Sequence, residues 1–130
     1  MPQIRIADAA KFLGVSDDTV RRWVSSGALE STEDASGRMA IDGRLLAEFA
    51  SGQAKSLPDS GSLTSARNRF VGLVTAVKTD AVMAQVDLQC GPFRVVSLMS
   101  SEAVEELGLE PGSVAVAIVK STNVIIESLE

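Results

Sequence analysis

The chain has 130 residues, 45% of them hydrophobic, with four Phe, one Trp and no Tyr, so any core must be mostly aliphatic. A net charge of −5 argues against indiscriminate binding to nucleic acid or anionic membrane. With one cysteine and no histidine, an internal disulfide, a Cys/His zinc site within one chain and a histidine-based catalytic triad are all excluded. No apolar stretch reaches the roughly 18 residues that span a bilayer. The opening "MPQIRIADAAKF" lacks a signal peptide's apolar region and cleavage site. A soluble, cytoplasmic protein with no membrane contact is expected. No nucleophile and base stand together, so an enzyme is not expected.

In chain order, "IADAAKFLG" sets Ile6, Ala9, Ala10 and Leu13 at helical spacing, with Gly14 placed to end the helix in a left-handed conformation. "VSDDTV" reads as a helix start: Ser16 is a good N-cap, Asp17 and Asp18 suit the positive end of the dipole, and Val15 and Val20 can form a hydrophobic staple. Gly27 stops this second helix. Two short helices joined by a turn of about three residues make a helix-turn-helix pattern. "ALESTEDASGRMAI" reads as a small hairpin turning near Asp34 to Gly37, with Arg38 leaving the turn. Asp42 caps a last helix, whose Leu45, Leu46 and Phe49 are expected to face a core.

Composition changes near residue 52, where "SGQAKSLPDSGSLT" is rich in Ser, Gly and Pro and reads as a flexible linker. The expected organisation is a first domain over 1–51, a linker over 52–63 and a second domain over 64–130. Charge differs between the halves. Residues 1–55 hold seven Lys/Arg against eight Asp/Glu, and residues 56–130 hold five against nine. Any DNA contact therefore belongs to a local patch in the first half.

Beyond the linker, "FVGLVTAVKT", "AVMAQVDLQ", "PFRVVSLMS", "VAVAIVKS" and "NVIIESLE" are five strand candidates rich in Val and Ile. "SSEAVEELGLEPGS" suggests a short helix ended by Gly108, then a turn. Five strands and one short helix in roughly 65 residues predict a small, partly open barrel of the oligonucleotide-binding type. Cys90, in "LQCGPF", is expected in a turn as an ordinary thiol.

The second helix, "DDTVRRWVSS", divides into two faces. Val20, Trp23, Val24 and Gly27 share one; Asp18, Arg21, Arg22 and Ser25 share the other. The second face can enter a major groove, where an arginine can bond a guanine edge at two points. Surface arginines on a solvated helix fit the same letters. The frame "IADAAKFLGVSDDTVRRWVSSGAL", followed by "GRMAI" and "LLAEF", resembles the winged helix-turn-helix of the MerR and excisionase-like families. That resemblance implies double-stranded DNA as a partner. It implies contacts from Ser16, Asp17, Asp18, Thr19, Arg21 and Arg22, and a backbone contact from Arg38 on the wing. A single such domain covers little DNA, so the second half is expected to supply an oligomer.

"SARNRFVGLVTAV", "SSEAVEELGLEPGS" and "VAVAIVKSTNVII" resemble, in that order, the Mop or TOBE domain of molybdenum-pterin-binding proteins and ModE-type regulators. The resemblance implies a homo-oligomer, a dimer at least and plausibly a hexamer. It implies that molybdate or tungstate binds between subunits to Ser65, Ala66, Arg67, Asn68, Ser100, Lys120, Ser121 and Thr122. The chemistry agrees. A tetrahedral dianion needs positive charge and several donors, and charge-assisted bonds are the strong ones. Taken singly, Ser65 and Asn68 also fit turn residues, Ser100 an N-cap and Lys120 an edge residue. The expected function is a regulator that reads DNA and senses the oxyanion. A molybdate buffer or storage protein, and a DNA-binding protein whose Mop domain is only an oligomerisation scaffold, are the alternatives.

Overall fold

A computed structural model describes residues 2–53 and 64–129. The chain divides into two compact units, Met1–Ser56 and Leu57–Glu130.

The first unit runs β1 (Gln3–Arg5), α1 (Ile6–Leu13), α2 (Asp17–Ser25), β2 (Thr32–Glu33), β3 (Met39–Asp42) and α3 (Gly43–Gln53). Gly14 ends α1 at φ 67°, and its N–H with that of Val15 closes the helix onto Lys11 and Ala10. That left-handed turn leads directly to Ser16, whose hydroxyl accepts from the Thr19 N–H and starts α2. Ile6, Ala9, Ala10, Val20, Leu29, Ile41 and Leu46 form the core, with Trp23 and Phe49 beside it, their ring centroids 4.9 Å apart and their planes tilted by 55°. The Asp42 side chain caps α3 by accepting from the Arg44 N–H at 2.8 Å.

Three details differ from the sequence reading. Strand β1 was not foreseen, because three residues are too few to show alternation; β3 creates it by pairing Gln3 with Asp42 through Arg5 with Ala40, giving the order β1-β3-β2. Leu45 is only half-buried and outside the core, since one residue from Leu46 it points about 100° away on the helix. Helix α3 continues through Gly52 and Gln53 into the stretch read as linker; the rest of that stretch, 54–63, lies outside the described residues.

The second unit is one antiparallel sheet with a short helix: β4 (Asn68–Thr79), β5 (Met83–Cys90), β6 (Phe93–Ser100), α4 (Ser101–Leu107) and β7 (Val114–Val119), in the order β6-β5-β4-β7. A register shift between Val74 and Ala76 marks a bulge, the device by which a long strand bends and curls. The inward face buries Val74, Ala84, Val86, Leu88 and Cys90 against Val104 of α4. Gly72 is needed where β4 meets β5, because a Cβ there would lie 2.6 Å from the Gln89 carbonyl oxygen. Cys90 is the last residue of β5 and is buried, not in the turn.

The fold is the expected two-unit arrangement of a helix-turn-helix and an OB-like sheet with one short helix, but the sheet is an open half-barrel. The fifth strand expected at 123–130 is absent among the described residues. A 3₁₀ turn at Ser121–Asn123 breaks the line of β7, and the chain that follows pairs with no strand. Ile125, Ile126 and Leu129 are 92%, 86% and 93% exposed. A strand-prone sequence becomes a strand only when it pairs with an edge, and residues 124–129 form no ladder with either open edge of this sheet. Among the described residues no helix is long and apolar enough to cross a membrane.

Candidate functional site

The two blocks of expected oxyanion donors are brought together by strand pairing. Strands β4 and β7 run antiparallel, with Asn68 opposite Val119 and Arg69 opposite Ile118. Continued by one residue, that register sets Arg67 across from Lys120. The Asn68 amide fixes the junction by donating to the Val119 carbonyl at 3.0 Å. Before the strand, the Thr64 hydroxyl accepts from the Ala66 N–H at 3.2 Å and the Arg67 guanidinium donates to the Thr64 carbonyl at 3.2 Å. After β7, the Asn123 N–H returns to the Lys120 carbonyl at 2.9 Å and closes the 3₁₀ turn that holds Ser121 and Thr122. Ser65, Ala66, Arg67, Asn68, Lys120, Ser121 and Thr122 thus lie at one end of the sheet.

Among the described residues the ion pairs are Arg5–Asp34, Arg44–Glu48 and Arg94–Asp87, so neither Arg67 nor Lys120 is spent on a carboxylate. Ser65, Arg67, Lys120, Ser121 and Thr122 are exposed, and Ala66 and Asn68 half-buried. In a single chain these groups therefore stand open to water.

Ser100 lies elsewhere. It ends β6 opposite Met83, at the edge of the sheet where β4 finishes and Thr79 pairs with Ala84. The twelve residues of β4 separate it from the Arg67 end, roughly 36 Å of strand at 3.3 Å per residue. Its hydroxyl accepts from the Ala103 N–H at 3.1 Å and caps α4, the ordinary role for a serine before a helix. The hydroxyl proton is still available to a ligand.

In the first unit the two faces of α2 divide between core and solvent as the sequence pattern predicts. Asp17, Asp18, Arg21 and Arg22 are exposed, while Val20 is buried and Trp23 and Val24 pack on the core. Thr19 is half-buried, shares a 2.9 Å hydroxyl bond with Ser16 and receives Arg22 Nη2 at 3.4 Å. Arg38 is exposed just before β3, at the end of the β2–β3 turn. The sequence reading missed two residues that shape these surfaces. Thr64 organises the approach to Arg67, and a hydroxyl two residues before a turn N–H could have signalled it. Asp34 organises the β2–β3 turn, where its letter alone signals no more than a turn residue.

Two further carboxylates are settled by local donors. Asp87 sits below the usual carboxylate range because Gln85 and then Arg94 donate to it. Asp80 is lowered by the N–H groups of Met83 and Val82 in the β4–β5 turn.

An open apolar groove of about 480 Å³ runs between the two edge strands, lined by Val95 and Met99 on β6 and by Ala115, Ala117 and Val119 on β7.

Residues 64–126 match the TOBE domain, and residues 4–54 match a helix-turn-helix domain. The second match does not distinguish the MerR or excisionase-like type. Over 63 residues, 48% of this chain, the sequence is 43% identical to molybdenum-pterin-binding protein 3 of Clostridium pasteurianum and spans 93% of it. Over 64 residues, also 48% of the chain, it is 39% identical to the molybdenum transport protein ModE of Herbaspirillum seropedicae, spanning 24% of that protein. Among solved structures, a molybdate-binding protein from Sporomusa ovata aligns at a TM-score of 0.50 and 25% identity, over 52% of this chain and 100% of that one.

Proposed function

Since the chain belongs to the TOBE-domain family of molybdenum-pterin-binding proteins and carries a helix-turn-helix domain ahead of that module, we propose that it is a cytoplasmic, molybdate- or tungstate-responsive DNA-binding regulator. It acts by binding, not by catalysis. The N-terminal unit reads double-stranded DNA through Arg21 and Arg22, with Ser16, Asp17, Asp18 and Thr19 at the helix start and Arg38 on the wing. The C-terminal unit assembles copies of the chain and holds the oxyanion between them.

The observation that carries this reading is the β4–β7 register. It supports Arg67 and Lys120, from sequence blocks more than fifty residues apart, as one doubly positive cluster with hydroxyls beside it. Two positive charges suit a dianion, and charge-assisted hydrogen bonds supply the strength. Ser100, a strand length away, joins the same anion only when a second copy presents it. The open edges β6 and β7, the apolar groove between them and the exposed Ile125, Ile126 and Leu129 favour such a second copy.

Oxyanion binding alters DNA affinity when the anion favours one arrangement of copies over another, and only by that difference. The test is a titration of DNA binding with and without molybdate, on a duplex selected from a random pool. A molybdate-dependent change in affinity supports the regulator. Tight molybdate binding with unaltered DNA affinity would make the chain a molybdate store with a DNA-binding domain.

A further inference from the structure

The wing of the first unit turns over a single carboxylate. Asp34 Oδ1 accepts from the Ser36 N–H at 2.9 Å, the Ser36 hydroxyl at 2.7 Å and the Arg38 N–H at 3.0 Å. Its Oδ2 receives Arg5 Nε at 3.4 Å, from the strand on the far side of β3. The backbone closes the same loop, with the Asp34 N–H donating to the Arg38 carbonyl at 2.8 Å and the Gly37 N–H to the Asp34 carbonyl at 3.0 Å. Gly37, at φ 80°, supplies the left-handed step that lets the chain return. The Arg38 backbone is thereby held on both its N–H and its carbonyl. Its side chain stays exposed and forms no ion pair among the described residues.

We propose that Asp34 is a positioning residue for DNA binding: its carboxylate fixes the wing so that Arg38 is presented to the phosphate backbone, and Arg5 offsets the negative charge that the wing would otherwise bring to DNA. This rests on the reading of Arg38 as a phosphate contact. The geometry gives the carboxylate an occupation that a solvent-facing acid lacks. A free carboxylate beside a phosphate-contacting arginine would repel DNA and weaken binding. This one is held by three donors on one oxygen and a guanidinium on the other. Its carboxyl lies at about 2 against an ordinary 3.8, first because of the Ser36 hydroxyl and then the Arg38 N–H, in keeping with donors gathered on the ionised form.

The sign of the mutational effect separates positioning from simple repulsion. Removing a repelling charge tightens DNA binding; removing a scaffold loosens it. The full-length chain and its variants are titrated by fluorescence anisotropy onto a duplex selected from a random pool for binding to the wild type. Arg38→Ala and Asp34→Ala should each weaken binding by a similar factor, roughly tenfold for one lost charge-assisted contact. The double variant should bind no more weakly than Arg38→Ala alone, because both changes remove one interaction. Asp34→Asn keeps a carbonyl acceptor for the Ser36 and Arg38 N–H groups and should bind at least as tightly as the wild type. In the free protein, amide exchange at Ser36 and Arg38 should accelerate in Asp34→Ala and not in Asp34→Asn.

If Asp34→Ala fails to fold, Ser36→Ala removes only the 2.7 Å hydroxyl bond and should weaken binding in the same direction. Asp34→Ala binding as tightly as the wild type or more tightly overturns the proposal, as do losses that add in the double variant. Unchanged binding by Arg38→Ala overturns it at its premise. That outcome is distinct, because the phosphate contact itself then falls.

Discussion

The side-chain amide of Asn68 donates to the carbonyl of Val119 at 3.0 Å, joining two residues 51 positions apart at the point where β4 begins and β7 ends. On one side of that bond stands Arg67, on the other Lys120. The bond makes one place of two sequence blocks. Arg67→Ala and Lys120→Ala should each nearly eliminate molybdate binding, since each leaves the dianion under-compensated. Their effects should be non-additive. Asn68→Ala should weaken binding less, and Ser100→Ala should cost on the order of 1 kcal/mol, the worth of one neutral hydrogen bond. Calorimetric titration of each variant with molybdate checks the ranking; a fully active Lys120→Ala would remove the residue from the site.

The exposed face of α2 makes a separate prediction. Replacing Arg21 and Arg22 together by Ala should abolish sequence-specific DNA binding and leave molybdate binding and assembly intact. Arg38→Ala should weaken binding to all sequences alike and lower the salt dependence of affinity, as loss of a phosphate contact does. Gel-shift titrations across a salt series measure both. A changed sequence preference in Arg38→Ala would place that side chain against a base.

The wing should respond to acid. The carboxyl of Asp34 is depressed from 3.8 to about 2, so its ionised form is bound more favourably in the folded state. Its contribution is fully present above the unfolded value of 3.8 and is lost as pH falls from there towards 2. Unfolding midpoints measured between pH 5 and pH 2 should fall more steeply for the wild type than for Asp34→Asn. Parallel curves would show that the carboxylate contributes nothing to folding.

Assembly follows from what the second unit leaves uncovered. Val71, Leu73, Val114, Val116 and Ile118 are exposed on paired strands, and Ile125, Ile126 and Leu129 stand almost wholly in solvent. Exposed apolar surface of this kind is what an interface between copies would cover. Light scattering at micromolar concentration should report a dimer or larger. Ile125→Asp with Ile126→Asp should shift it towards monomer and weaken molybdate binding together. A monomeric wild type would refute the shared site.

The sequence was most legible where local chemistry decides the structure. Gly14 and Gly108 close their helices at positive φ, and Ser16 and Ser100 cap the helices that follow them. The strand blocks of β4 to β7 are set by their runs of Val and Ile. What was hidden depends on partners. Strand β1 exists only because β3 lies beside it. "NVIIESLE" has strand letters, but its residues 124–129 pair with neither open edge of the sheet, and the fourfold hold on Asp34 shows only when its donors converge in space. The separation of Ser100 from Arg67 was invisible for the same reason: motif order carries no record of which end of a sheet a residue occupies.

Isothermal titration of the full-length protein with molybdate, tungstate and sulfate decides whether an oxyanion binds this chain. Saturable binding of molybdate and tungstate is expected well below millimolar concentration, and its loss in Arg67→Ala. No oxyanion binding below millimolar would contradict it, and would leave Ser65 to Asn68 as a turn before a strand.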